Sequence, residues 1–139
     1  MQLLNSDIKN KVLDSMMNII ESRKSEILEA NKKDLEAFNR DDQALYDRLV
    51  VNDAKIAGMI QAIKEVRDQE DPVSQEISNT ILDSGLKIIN KTAPFGTIMI
   101  IYESRPDVTI EAAVLAFKAN NKILLKGGKE AYHSNVVLV

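Results

Sequence analysis

At 139 residues the chain is near the size of one domain, long enough to bury roughly two thirds of its potential surface. Its 18 Lys and Arg against 21 Asp and Glu leave a formal charge of -3, which supplies no general field for DNA or RNA. The absence of cysteine excludes disulfides, thiolate metal sites and a cysteine nucleophile within these residues.

The first residues, MQLLNSDIKNK, lack a basic region followed by an apolar run and a small-residue cleavage site. They do not read as a secretory signal, and the cytoplasm is the expected compartment. Leu4, Ile8, Val12, Met16, Ile19 or Ile20, Ile27 and Leu28 then recur at helical spacing among polar residues. This predicts a long amphipathic helix over about residues 6–36, with an interruption near Asn31 and the apolar stripe turned inward. Met16 and Met17 read more readily as helix packing than as a ligand-recognition stripe.

Asn39-Arg40-Asp41-Asp42 marks a polar break, after which a short helix carries Leu45 and Leu49. Asn52 or Asp53 is placed to cap another helix, whose inward face is Ile56, Met59 or Ile60, Ile63 and Val66. The charged stretch from Asp68 to Val73 contains Pro72 and reads as a connection.

Beyond it the pattern becomes β-prone. LKIINKT follows a turn at Asp83-Ser84-Gly85, and Pro94-Phe95-Gly96 breaks the chain before the apolar strand TIMIIY. A strand apolar on both faces is expected inside a sheet covered by helices, and its four-residue apolar centre is far too short to cross a bilayer. Residues 108–119, VTIEAAVLAFKA, predict a helix ended by Asn120-Asn121. KILLK follows as a second buried strand, and Gly127-Gly128 turns the chain into EAYHSNVVLV. Strand, helix, strand, helix with short connections is an α/β crossover, and one crossover is an incomplete sheet.

Ligands of parallel α/β folds gather outside the carboxyl ends of the strands. Two loops lie there: Tyr102 to Asp107, and Lys126-Gly127-Gly128-Lys129-Glu130. The glycines would let a ligand approach the backbone and the lysines could attract phosphate oxygens, although KGGK is neither a Walker A motif nor GxGxxG. A tight, solvated strand-to-helix turn explains the same residues. Arg105 could hold a carboxylate or acyl phosphate, and Ser104 could donate near a developing oxyanion. Pairing of Arg105 with Glu103 or Asp107, and a backbone-capping Ser104, are the ordinary alternatives. His133 reads as a helix-surface residue, because no acidic partner or nucleophile is evident beside it.

The segment APFGTIMIIYESRPDVTIEAAVLAFKANNKILLKGGKEAYHSN, with ILEANKKDLE and DSGLKIINKTAPFG before it, resembles the gamma-glutamyl phosphate reductases. These glutamate-5-semialdehyde dehydrogenases belong to the aldehyde dehydrogenase superfamily. The combination of YESRP, an Ala-rich helix and GGKEAxxSN at this spacing carries the resemblance, which extends over nearly all 139 residues but only the front part of a family protein.

The resemblance implies an α/β fold, a partial nucleotide-binding domain with an N-terminal helical region. Residues 1–72 would form that helical region, 73–96 a β-prone connection related to oligomerisation, and 97–139 a partial NADP-binding core. It implies NADPH-dependent reduction of L-glutamate 5-phosphate to L-glutamate 5-semialdehyde and phosphate in proline biosynthesis. The partners it implies are that substrate, further copies of the enzyme and glutamate 5-kinase.

By the same resemblance Lys126, Gly127, Gly128 and Lys129 would meet the cofactor, and Ser104 and Arg105 the substrate or oxyanion region. Lys126 aligns with a lysine near the adenine ribose, and Lys129 with a position where NAD-preferring members often carry Glu. The family's nucleophilic cysteine would lie beyond Val139, so no catalytic nucleophile is expected in this chain. Asp107 departs from the family's usual Asn and adds negative charge beside the proposed anion site. The competing reading is a noncatalytic interaction or nucleotide-binding protein.

Overall fold

A computed structural model describes residues 3–39 and 41–139. Helices α1 (Ser6–Ser22), α2 (Lys24–Ala37), α3 (Gln43–Leu49) and α4 (Asp53–Asp68) lead to strands β1 (Glu76–Ile81) and β2 (Lys87–Lys91). Strand β3 (Thr97–Ile101), helix α5 (Pro106–Lys118), strand β4 (Lys122–Lys126), a 3-10 turn at Lys129–Ala131 and helix α6 (Tyr132–Leu138) follow.

Helices α1, α3 and α4 each open on a side chain that satisfies an otherwise orphan N–H, whereas α2 follows Arg23 without a side-chain cap. Asn5 accepts from Ile8 N–H at 2.8 Å, Asp42 from Leu45 N–H at 3.0 Å and Asn52 from Lys55 N–H at 2.9 Å. The cap of α4 is therefore Asn52, with Asp53 as its first helical residue. The long helix expected over residues 6–36 is two helices, broken at Arg23 (φ -100°, ψ 15°) rather than near Asn31. Asn31 lies within α2, buried.

The inward face of α1 also differs from the expected stripe. Lys9, Leu13 and Ile20 are buried, with Met16 and Met17 partly covered by the core, whereas Leu4, Ile8, Val12 and Ile19 are exposed. A run of i+4 steps overshoots each turn by about 40°, so Leu4, Ile8, Val12 and Met16 wind around the helix instead of marking one face. The true face includes a charged residue that no hydrophobic pattern marks. The Lys9 ammonium donates to both carboxylate oxygens of Asp71 at 2.8 Å, which allows its stem into the interior.

The core gathers Leu13, Ile20, Ile27, Val51, Ile56, Met59, Ile63, Val66, Ile110 and Val114. Because α1 packs on α4, α4 on α5 and α2 on α6, the helical region and the α/β segment share this core. Side chains of this size contribute roughly 1.5 to 3 kcal/mol each when fully buried.

Strands β1 and β2 form an antiparallel hairpin, exposed along both strands and irregular in register between Glu76 and Ser78. Gly85, at φ 83°, supplies the left-handed step of its turn, and its N–H donates to Leu82 O at 2.8 Å. Strands β3 and β4 pair in parallel from Thr97↔Lys122 to Ile101↔Lys126. They alternate, with Ile98, Ile100, Ile123 and Leu125 half-buried and Met99, Ile101 and Leu124 exposed. The expectation of cover on both faces is met on one.

Helix α5 starts two residues before the expected Val108, because Pro106 at its first turn lacks an N–H that would need a partner there. It ends in a Schellman arrangement. Asn120 takes φ 56°, Asn120 N–H donates to Phe117 O at 2.9 Å and Asn121 N–H to Ala116 O at 2.8 Å. The side-chain oxygen of Asn121 accepts from Gly96 N–H at 2.9 Å, which ties the entrance of β3 to that of β4.

Candidate functional site

The two loops singled out in the sequence meet at the carboxyl ends of β3 and β4. Ser104 is buried and its hydroxyl donates to Glu130 Oε2 at 2.7 Å. Gly128 lies against this pair: a Cβ there would collide with Ser104 Oγ and stand 2.9 Å from Glu130 Oε2. Gly127 is similarly close to Asn135 and to the Tyr102 ring, 3.2 Å from where its Cβ would be. The glycines thus allow the two loops and α6 to close on one another. Glu130 is held below the usual carboxylate range by the Ser104 hydroxyl, its own backbone N–H and nearby Lys129, against the opposing effect of burial.

Arg105 stands apart from this clasp. It precedes α5 at the N-cap, about half exposed, and one guanidinium nitrogen reaches Asp107 Oδ2 at a long 3.3 Å. Most of its five donors remain available. Glu103 pairs instead with Arg48 of α3 at 2.6 Å. This ion pair borders a polar hollow of about 420 Å³ lined also by Asp42, Ser104, Gly128 and Glu130. The structure therefore brings Ser104 to the KGGK turn and leaves Arg105 outside that hollow.

Lys126, Gly127, Gly128 and Lys129 line a second hollow of about 520 Å³, open to solvent and completed by Tyr132, Asn135 and Val136. Lys126 and Lys129 are exposed, and among the described residues neither is held in an ion pair. Two unpaired cations flanking two glycines suit an anionic, phosphate-bearing ligand in their donor chemistry. His133 is exposed, stacks edge-on against Tyr132 and donates its backbone N–H to Asp34 at 2.9 Å. Among the described residues no cluster of three or more His, Asp or Glu is arranged to hold a metal. No helix among them is long and apolar enough to cross a membrane.

A buried polar staple behind the KGGK turn was not found by sequence reasoning. Asp34 accepts from Ser134 N–H at 2.8 Å and from the Ser134 hydroxyl at 2.6 Å, in addition to His133 N–H. Asn31 donates to Leu49 O at 2.9 Å and Ser134 Oγ at 3.1 Å, and accepts from Val51 N–H at 2.8 Å. The available signal was the i, i+3 spacing of Asn31 and Asp34, which puts two short polar side chains on one helix face among Ile27 and Ala30.

Comparison with known proteins bears on what this arrangement serves. A reductase from Leptospira interrogans is 41% identical over 138 residues, 98% of this chain, and one from Persephonella marina is 46% identical over 136 residues, 96% of it. Both are named gamma-glutamyl phosphate reductase. The crystal structure of that enzyme from Thermotoga maritima superposes with a TM-score of 0.91 at 40% identity over 97% of the chain. In sequence and fold, the chain matches the N-terminal part of gamma-glutamyl phosphate reductase.

The Saccharomyces cerevisiae gamma-glutamyl phosphate reductase also superposes over 97% of the chain, with a TM-score of 0.88 at 33% identity. The chain spans about a third of the length of these reductases: 33% of the Leptospira protein, 33% of the Thermotoga chain and 35% of the yeast chain. No family model matches it.

Proposed function

We propose that this chain forms part of the nucleotide-binding half of an enzyme that reduces L-glutamate 5-phosphate with NADPH to L-glutamate 5-semialdehyde and phosphate, in proline biosynthesis. The observation that carries this reading is the match of nearly the whole chain, in sequence and in fold, to gamma-glutamyl phosphate reductases. The reaction needs a bound hydride donor, an anchor for an acidic substrate and donors for a developing oxyanion. NADPH, when bound, supplies the hydride.

The chain's own residues divide the remaining work. Lys126 holds the nucleotide at the rim of the 520 Å³ hollow, and the Gly127-Gly128 backbone keeps that approach open. Lys129 sets the cofactor preference: its ammonium attracts a 2'-phosphate and offers no acceptor to a free 2'-hydroxyl, the reverse of a carboxylate. Arg105, with most of its fork free, is the proposed contact for a substrate anion.

Ser104 takes an indirect part. Its single proton is directed at Glu130, so backbone N–H groups of the β3–α5 loop are left to face an oxyanion. The nucleophilic cysteine of the reaction comes from outside these residues, which contain none, and the chain alone does not turn over. Self-association through the exposed β1–β2 hairpin, contact with glutamate 5-kinase and a cytoplasmic location belong to the same reading.

K129E in the full-length enzyme, assayed with NADPH and NADH, tests the cofactor assignment. Loss confined mainly to NADPH use is the expected result. Equal kinetics with the two cofactors before and after the change would reduce Lys129 to a surface charge.

A further inference from the structure

Three polar side chains form a directed relay beneath the hollow at the KGGK turn. Thr109, 1% exposed, donates its hydroxyl proton to Asn135 Oδ1 at 2.7 Å. A threonine hydroxyl has only one proton, so the 2.7 Å contact between Tyr102 and Thr109 must be a donation from the tyrosine hydroxyl. The order is Tyr102 to Thr109 to Asn135. With its oxygen engaged, the Asn135 amide turns its NH2 toward Gly127, whose Cβ, if present, would collide with that nitrogen.

Among the described residues this NH2 has no acceptor, and Asn135 lines the same hollow as Lys126, Gly128 and Lys129. The threonine proton, directed at the amide oxygen, goes with an NH2 on the side of the hollow. A neutral donor beside two cations has the chemistry to meet an acceptor oxygen on an anionic ligand.

We infer that Asn135 is a ligand-binding residue, whose NH2, oriented by Tyr102 and Thr109, donates to an oxygen of the phosphate-bearing nucleotide at the KGGK turn. The inference rests on the nucleotide reading of that hollow. It also gives Gly127 a second reason to be glycine, since a side chain there would displace the donor.

Asn135→Asp is the informative change. Aspartate keeps an oxygen for Thr109 and puts a second, negatively charged oxygen where the NH2 stands. The dissociation constant of NADPH, titrated by its fluorescence against the full-length protein without turnover, is expected to rise roughly tenfold or more. Far-UV circular dichroism and the melting temperature report folding. N135A, which removes the donor without adding charge, replaces N135D should the latter unfold.

K126A and K129E separate the two levels of the argument. If either weakens NADPH binding while folded N135D and N135A both stay within about twofold of the parent, the role of Asn135 is overturned and the hollow remains the nucleotide site. If none of the four changes alters NADPH affinity, the nucleotide reading falls and the inference falls with it.

Discussion

Replacing Asp34 by alanine removes the acceptor on which the start of α6 depends. The carboxylate is 3% exposed and accepts from two backbone N–H groups and one hydroxyl at 2.9, 2.8 and 2.6 Å. The Ser134 hydroxyl can rotate to another acceptor, but the N–H groups of His133 and Ser134 cannot. A buried donor left unsatisfied costs about 1 to 3 kcal/mol, so two cost about 2 to 6, and partial exposure of the His133 amide moves the expectation to about 3 to 4. That is a large fraction of the roughly 5 to 15 kcal/mol that separates a domain from its unfolded state. Urea unfolding followed by circular dichroism should give a lower midpoint with an unchanged slope. D34N, which retains one acceptor oxygen but turns an NH2 toward a donor, should fall between D34A and the parent. A D34A protein within about 0.5 kcal/mol of the parent would show that the staple does not stabilise the fold and refute the reasoning.

Two further outcomes follow from the loop clasp and the charged groups around it. G128A places a methyl group against Ser104 Oγ and Glu130, and the forced separation of the loops should cost about 1 to 3 kcal/mol in the same urea assay; an unchanged midpoint would contradict the packing. Asp71 lies below its ordinary value of 3.8 because hydrogen bonds from Lys9, Val73 N–H and Ser6 outweigh the opposing effect of burial, and Glu130 lies below 4.5 chiefly through Ser104. For both, the folded state binds the proton less readily than the unfolded state. Their stabilisation is therefore complete above these ordinary values and is lost as pH falls through the depressed ones. Unfolding free energy should decline below about pH 4.5, and E130Q should shallow that decline; an identical pH dependence in E130Q would remove Glu130 from the account.

What the sequence revealed and what it hid divide by the range of the interaction. Asn52 before an apolar-periodic run, Gly85 in a polar turn, Asn120-Asn121 after α5 and the apolar centres of β3 and β4 act within a few residues of themselves. Their elements could accordingly be placed from local chemistry. Strand β1 was not separately named, because Glu76–Ile81 offers only Ile77 and Ile81 to a fully exposed hairpin. The inward face of α1 was misread because its deciding residue is Lys9, made compatible with burial by Asp71, 62 positions away. Asn31 and Ser134, 103 positions apart, are invisible to periodicity for the same reason.

The candidate site shows the same division at finer scale. Local chemistry marked Ser104, Gly128 and the lysines, yet it offered the glycines only a ligand's approach or a tight solvated turn as a reason for lacking side chains. The fold supplies nearer ones: Ser104 and Glu130 beside Gly128, and Asn135 and Tyr102 beside Gly127. These contacts constrain the loops before any ligand arrives, because widening either glycine would push the turn after β4, which follows Lys126, away from the loop after β3 or from α6. A preformed turn loses less conformational freedom on binding than a loose one. In the proposed function, close packing at the glycines and ligand approach at the lysines are complementary demands on the same four residues, the first setting the backbone from which the second would be made.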